Sequence, residues 1–141
     1  MQKRYLALVR GCPPPEGVID HPIPKDESGP RVPAVTEFRL LAVAASERVA
    51  LVEARPRTGR LHQIRRHLKH IDHPVIGDAN YGKGAINRDL RARYGLARLA
   101  LHALAIELSH PKTGAPLRIV APLPADLAEP LARLGLPTVF D

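Results

Sequence analysis

Residues 55 to 82 read RPRTGRLHQIRRHLKHIDHPVIGDANYG and concentrate basic and histidine side chains in one short segment. Such a cluster could bind a metal ion, form a solvated basic face, or hold a polyanion. Between Arg55 and Arg98 there are eleven Lys or Arg against three acidic residues, whereas the rest of the chain carries ten basic and eleven acidic groups. The net charge of +7 therefore arises in one segment. This indicates a localised anion-binding face, for which nucleic acid is the commonest partner.

The spacing of apolar residues predicts a helix over residues 60 to 71. At about 100° per residue, one face carries Leu61, Ile64, Leu68 and Ile71. We expect Arg66 to point nearly opposite this stripe, beside Gln63 and His70. Arg65 falls at its border, where a partly desolvated guanidinium would need a carboxylate or phosphate partner. The alternative is an arginine whose stem packs while its head reaches water.

The histidines of this segment raise the question of a metal site: His62, His67, His70 and His73. His67 and His70 lie about one turn apart, but no cysteine or nearby glutamate joins them, and a structural zinc site needs four good ligands. We therefore expect no metal, and expect these histidines to hydrogen-bond a nucleic-acid backbone or to be solvated. His102, in an apolar strand, is expected to be a satisfied core histidine. The spacing shows no catalytic triad, carboxylate pair or phosphate loop.

Strands and short helices must position the basic segment. Alternation predicts a strand over residues 2 to 10, two strands over 34 to 44 and 48 to 56, and a hairpin over 98 to 122. Residues 11 to 33 hold seven of the fifteen prolines and form an excursion with one short strand. Further helices are predicted over residues 86 to 95 and 124 to 135. This order indicates an α+β fold with a mainly antiparallel sheet and packed helices.

The amino-acid composition limits the compartment, the membrane association and the type of nucleic-acid binding that we expect. Cys12 is the single cysteine, so no internal disulfide can form, and a reducing compartment, the cytoplasm, is expected. No apolar run approaches the ~18 residues of a membrane span. Five aromatic residues and no tryptophan argue against a binder that stacks successive bases of a single strand.

The stretch RTGRLHQIRRHLKHIDHPVIGDANYG closely resembles the third motif region of the RNA pseudouridine synthase family, in the branch that modifies ribosomal and transfer RNA without a guide. Further matches are KRYLALVRG, EGVIDHPI, PAVTEFRLL, LARLALHALAIELSHP and TGAPLRIVAPLP. The resemblance covers nearly all of residues 1–141 and is greatest to members that act on transfer RNA. It implies a mainly antiparallel mixed sheet with packed helices, the C-terminal portion of the family's catalytic domain, with residues 11–33 as its Pro-rich excursion.

The resemblance also implies site residues. Tyr5 matches the tyrosine that packs on the target base and takes the C5 proton, and Arg65 matches the arginine that pairs with the catalytic aspartate. In the family the aspartate attacks a flipped-out uridine, and the base is detached, rotated and rejoined through carbon without cofactor or metal. We expect RNA, transfer RNA before ribosomal RNA, to be held by Arg57, Arg60, His62, Arg66, Lys69 and His70.

One departure concerns the nucleophile. The family carries it in a His-Arg-Leu-Asp…Thr-Ser-Gly motif before the tyrosine strand, and none of the seven aspartates here occupies that context. The sequence thus predicts a C-terminal half that is inactive alone and leaves Arg65 unpartnered. It should also expose a sheet edge that self-associates or pairs with an N-terminal half. The alternatives are a non-catalytic RNA-binding module and, ranked last, a small DNA-binding regulator.

Overall fold

The computed structural model describes residues 1–140. Within these residues, eight strands and three helices follow one another. They are β1 (Gln2–Arg10), β2 (Glu16–Asp20), β3 (Ile23–Pro24), β4 (Arg31–Val32), β5 (Val35–Val43), β6 (Val49–Pro56), α1 (Gln63–His70), α2 (Gly84–Tyr94), β7 (Leu101–Ser109), β8 (Pro116–Val120) and α3 (Ala125–Arg133).

Six of the strands form one antiparallel sheet in the order β2-β5-β6-β1-β7-β8. Strand β1 lies inside this sheet, with β6 on one side and β7 on the other. Strands β3 and β4 form a separate two-stranded sheet. The predicted α+β fold with an antiparallel sheet is confirmed.

The core is centred on the two middle strands. Residues 6–9 of β1 and 49–54 of β6 are buried without a break. Because successive side chains of a strand point to opposite faces, an unbroken buried run means that both faces are covered at the centre of the sheet. Helix α1 packs on β5 and β6, and α3 contributes Leu127 and Leu131 to the same core.

Two elements differ from their predicted bounds. Helix α1 is shorter than the predicted 60 to 71, because His62 has a left-handed backbone with φ 49° and the helix begins only at Gln63. Asp72, just beyond its end, is also left-handed with φ 67°. The Pro-rich excursion holds more structure than the one predicted strand: β2 joins the main sheet, and β3 and β4 form a hairpin beside α1.

The outer strand β8 is exposed along its whole length. Its apolar side chains Leu117, Ile119 and Val120 all reach solvent. None of the helices in the described residues is long and apolar enough to span a membrane.

Candidate active site

A surface pocket of about 410 Å³ lies where β1, the β6–α1 loop and the start of β7 meet. Both residues to which the family resemblance assigns catalytic roles, Tyr5 and Arg65, line it. We call it the Tyr5 pocket. Its lining is Lys3, Tyr5, Pro56, Thr58, Gly59, Arg60, His62, Gln63, Ile64, Arg65, Leu99 and Leu101.

The Tyr5 pocket combines positive charge with an apolar wall. Lys3, Arg60 and Arg65 supply cations, Leu99 and Leu101 supply apolar surface, and none of the described residues that line the pocket is a carboxylate. An apolar surface with a few convergent polar groups is typical of small-ligand sites. This pairing suits a nucleotide, whose base is flat and largely apolar on its faces and whose phosphate is anionic.

An irregularity in the sheet positions Tyr5. Tyr5 lies on β1, where it pairs with Ala54 of β6 on one side and with Ala103 of β7 on the other. The β1–β7 register shifts between Arg4 and Tyr5. Such bulges turn a strand locally and re-aim side chains, and they occur often beside active sites. Tyr5 is thus held on a central strand, with its direction set by the bulge.

The side chain of Gln63 ties the β6–α1 loop to the sheet. Its Oε1 lies 2.7 Å from the Thr58 hydroxyl and accepts from the backbone N–H of Arg60. Its Nε2 donates to the Val35 carbonyl and to the Thr36 hydroxyl. The sequence placed Gln63 on the exposed face beside Arg66, and that prediction is wrong. A glutamine buried here satisfies both the loop and the edge of β5, so it fixes one wall of the Tyr5 pocket.

Arg65 has a buried carboxylate partner, and that partner is Asp78. The Nε and Nη2 atoms donate to the two carboxylate oxygens at 2.8 and 2.9 Å. The Asp78 side chain is fully buried and the Arg65 side chain is 17% exposed. The expectation that Arg65 would stand unpartnered in this chain is therefore wrong. Of the two interpretations left open by helical spacing, the partly desolvated guanidinium with an acidic partner is the one observed, and that partner is a carboxylate.

The turn that carries Asp78 is held by three features. Gly77 has φ 82°, and a Cβ there would collide with the carbonyl of Arg98. Asn87 of α2 accepts from the Gly77 N–H and donates to the Asp78 carbonyl. The Asp78 carboxylate in turn accepts the N–H groups of Asn80 and Tyr81. Asp78 is thus fixed before it pairs with Arg65.

These contacts set the charge of the pair. Burial by itself raises the pKa of Asp78, but hydrogen bonds from Arg65, Tyr81 and Asn80 outweigh burial, so its pKa lies below the usual value of a carboxyl group. The hydrogen bond to Asp78 raises the pKa of Arg65. Both groups are charged at neutral pH.

Tyr81 lies against both neighbouring arginines. Its ring centroid is 5.1 Å from the Arg65 guanidinium carbon and 5.4 Å from that of Arg66. The Nε of Arg66 donates to the Tyr81 hydroxyl at 3.0 Å, and His62 Nδ1 lies 3.2 Å from the same oxygen. Arg66 was expected to point nearly opposite the apolar stripe. It is half-buried, because Tyr81 of the loop after the helix packs against it.

The other residues predicted to bind RNA fall into two groups. Arg57 already pairs with Glu37 at 2.6 Å, and Arg60 donates from Nε to the Pro33 carbonyl while lining the Tyr5 pocket. Lys69 and His70 are exposed on α1. They lie away from the Tyr5 pocket, on a second surface.

His67 is neither a surface group nor available to a metal. It is fully buried, with Nδ1 2.7 Å from the Thr36 hydroxyl and Nε2 2.8 Å from the His21 carbonyl. A carbonyl only accepts, so Nε2 carries the proton, and Nδ1 accepts from Thr36. Burial lowers the pKa of His67, which favours this neutral form. The expectation that His67 would be solvated or face RNA is wrong.

The chain was compared with known proteins. Residues 1–70 match the family model described as RNA pseudouridylate synthase. The tRNA pseudouridine synthase C of Salmonella typhimurium is 38% identical, over 96% of this chain and 59% of its own length. An uncharacterized RNA pseudouridine synthase of Chloroflexus aurantiacus is 42% identical, over 95% and 42%. The chain belongs to the RNA pseudouridine synthase family.

Solved structures agree with this assignment. Human RNA Pseudouridylate Synthase Domain Containing 4 superposes with a TM-score of 0.73 and 29% identity, covering 95% of this chain and 62% of that one. Human RNA Pseudouridylate Synthase Domain Containing 1 gives 0.70 and 28%, covering 89% and 57%. The chain therefore spans less than two thirds of the length of these family members.

The sequence did not identify two residues that the structure places at the site. Asp78 lies in the stretch that resembles the family, but its pairing with Arg65 was not predicted. Tyr81, three residues further on, was not singled out. The Gly77–Asp78 step was the available signal, since a glycine before a carboxylate favours a tight turn that can aim the carboxylate inward.

Proposed function

We propose that the protein isomerises uridine to pseudouridine in RNA and that the target base enters the Tyr5 pocket. The observation that carries this proposal is that Tyr5 and Arg65, which lie on β1 and α1, line one pocket. In the mechanism implied by the family resemblance, Tyr5 packs on the base and accepts the C5 proton, while Arg65 pairs with the attacking aspartate. The reaction needs no cofactor or metal.

The pairing of Arg65 with Asp78 is compatible with this role. A guanidinium has five N–H donors in a fixed plane, and Asp78 engages donors on Nε and Nη2 only. The remaining donors stay available to a second carboxylate or to a phosphate. In this arrangement Asp78 is a positioning residue that holds the plane of Arg65 toward the pocket.

We further propose transfer RNA as the substrate, with ribosomal RNA as the alternative. Support comes from the relatives named tRNA pseudouridine synthase C, which align with most of this chain. The excess positive charge between Arg55 and Arg98 suits the phosphate backbone of either RNA. The single cysteine supports the cytoplasm as the compartment.

A second candidate function is a non-catalytic RNA-binding module. It is favoured by the absence of a carboxylate among the described residues that line the Tyr5 pocket. Positioning groups cannot replace a nucleophile in covalent catalysis. The two functions share the RNA ligand and differ in turnover.

Release of tritium from transfer RNA that carries 5-tritiated uridine tests the proposal, because isomerisation removes the hydrogen at C5. In the protein that contains this chain, Tyr5→Phe and Arg65→Lys should each lower release by on the order of a hundredfold, with RNA binding largely kept. Arg93→Lys is the matched control, since Arg93 also forms a two-point pair with an aspartate, but far along the chain on α2.

The same assay separates the two functions. Intact RNA binding with no tritium release would favour the binding module. The isolated chain of residues 1–141 is expected to release no tritium. Release from it would show that one of its own carboxylates serves as nucleophile.

A further inference from the structure

A second basic cavity lies on the other side of α1. It has a volume of about 390 Å³ and shares no lining residue with the Tyr5 pocket. We call it the His21 groove. Its lining is His21, Ile23, Arg31, Arg66, Lys69, His70 and Tyr81. Three parts of the chain form it: the β3–β4 hairpin with the preceding His21, the outer face of α1, and Tyr81 from the loop that follows α1.

Among residues 1–140, no carboxylate pairs with the cations of the His21 groove. Arg65 and Arg57 are neutralised by Asp78 and Glu37. In contrast, Arg31, Arg66 and Lys69 take part in none of the ion pairs formed within residues 1–140. Three uncompensated charges around one concave surface leave a strongly positive potential that an anion can occupy.

Two of the three cations are held in place by neutral contacts. Arg31 donates from Nη1 to the Pro22 carbonyl at 2.9 Å, and Arg66 donates from Nε to the Tyr81 hydroxyl. Each guanidinium keeps further N–H donors. Such donors are oriented before a ligand arrives, which reduces the entropy lost on binding.

The imidazoles of His21 and His70 stack in the same cavity. Their ring centroids are 3.7 Å apart with an angle of 14° between the planes. The backbone of His21 is anchored, because its carbonyl accepts from the buried His67. Two imidazoles this close repel each other when both are protonated, and an anion beside them relieves that repulsion.

We propose that the His21 groove binds a phosphate of the RNA backbone, at a position separate from the Tyr5 pocket. The ligand class follows from the chemistry: planar guanidinium donors and an ammonium group suit phosphate oxygens, and no carboxylate competes within the described lining. The inference rests on the proposed function only in taking RNA as the ligand. It adds His21 and Arg31, on the hairpin side, to the RNA-binding surface.

Phosphate binding here should be coupled to proton uptake. Burial lowers the pKa of His21, and the neighbouring His70 and Arg31 lower it further. The other groups near the imidazole pair are Arg66, Lys69 and Tyr81, which line the same groove, and the buried His67, on which the charge of Asp20 acts. A bound phosphate offsets the surplus of positive charge among them and favours protonation of His21.

Removal of the groove cations tests the site. Arg31→Gln and Lys69→Gln should each weaken binding of transfer RNA about four- to fivefold at roughly 0.15 M salt and lower the salt slope by about 0.7–0.9. Arg48→Gln is the matched control, an exposed arginine outside the groove that also forms no ion pair with the described residues. The side chain of Lys69 is exposed and has no hydrogen bond to other described residues, so its replacement does not threaten folding.

The outcomes separate the groove from the proposed function. If wild type and Arg48→Gln bind RNA equally and only the groove variants weaken, the proposal holds. If Arg31→Gln and Lys69→Gln bind like Arg48→Gln, the groove is not a phosphate site, whatever the tritium assay shows. If wild type binds no RNA, the proposed function fails as well. Competition by inorganic phosphate that is equal for wild type and both groove variants would also overturn the site.

A second measurement follows protonation. Between about pH 8 and about pH 6, RNA affinity of the wild type should rise by about threefold more than that of His21→Asn. A purely structural role for His21 would shift affinity equally at every pH. Parallel pH profiles for wild type and His21→Asn would remove the proton coupling, and the salt experiment would still test the phosphate site.

Discussion

Replacing Asp78 by asparagine isolates the buried charge pair on which the orientation of Arg65 depends. Asparagine keeps an Oδ1 acceptor for the N–H groups of Asn80 and Tyr81. It also places an amide N–H against the Nε donor of Arg65, where a carboxylate oxygen stood at 2.8 Å. The substitution therefore preserves shape and the turn while leaving a half-buried guanidinium without its counter-charge.

The expected cost is large. Breaking a buried ion pair by removing one partner costs about 3–5 kcal/mol, and we expect about 3 because water can partly reach Arg65. For a chain of this length, an entropy of unfolding of ~2.1 cal/mol/K per residue converts about 3 kcal/mol into a melting temperature lower by about 10 °C.

Asp89→Asn provides the control, because Asp89 also binds its arginine through two oxygens. Its partner Arg93 lies one turn away on α2, and both side chains are about half exposed. Exposed pairs contribute little, so its melting temperature should change by less than about 2 °C. Thermal melts of the two variants followed by circular dichroism measure the difference. Equal melting temperatures for Asp78→Asn and Asp89→Asn would refute the reasoning.

The pH dependence of stability gives an independent check that the Arg65–Asp78 pair stabilises the fold through its charges. Because the folded pKa of Asp78 lies below its unfolded value, the pair contributes stability above about pH 3.9 that is lost as the pH falls through the folded pKa. The difference in melting temperature between the wild type and Asp78→Asn should therefore become smaller at acidic pH. A gap of constant size from neutral to strongly acidic pH would point to packing rather than charge.

Three further changes have defined outcomes. Burial lowers the pKa of His67, so below about pH 6.5 the unfolded chain takes up that proton before the folded one does and the wild type loses stability. His67→Gln should therefore lose less unfolding free energy than the wild type as the pH falls, in denaturant titrations at several pH values. An equal loss in both would contradict a neutral buried imidazole. Arg66→Gln should weaken RNA binding without slowing turnover of bound substrate, whereas Arg65→Lys should do the reverse; identical effects would contradict their separation. If a second copy pairs on the open edge of β8, Ile119→Lys should abolish concentration-dependent association in sedimentation velocity, and no association by wild type would dismiss that pairing.

The local sequence pattern was sufficient to predict features that depend on a single strand or helix. Strand β1 was predicted at its observed bounds, because its alternating β-formers need no distant partner to be recognised. Helical spacing alone placed Arg65 at the border of the apolar stripe, and the structure has its side chain mostly buried there. These features depend on residues close together in the chain.

The predictions that were wrong concern residues that are distant in the sequence and that only the fold brings together. Asp78 reaches Arg65 only after left-handed backbone at Asp72 and Gly77, which spacing does not encode. Gln63 and His67 read as polar surface groups on a helical wheel. Both are buried because Thr36, on a strand far earlier in the chain, offers a hydroxyl that accepts from one and donates to the other.

Helix α1 links the two proposed RNA contacts because three consecutive residues on it face three environments. A rotation of about 100° per residue sends Arg65 to the Tyr5 pocket, Arg66 to the His21 groove and His67 into the core. The buried imidazole fixes the rotation of the helix, and the Tyr81 ring contacts both guanidinium groups on the outside. Arg65 and Arg66 thus serve the two proposed RNA contacts from one rigid helix, which fixes the distance between the Tyr5 pocket and the His21 groove while leaving each arginine its own role.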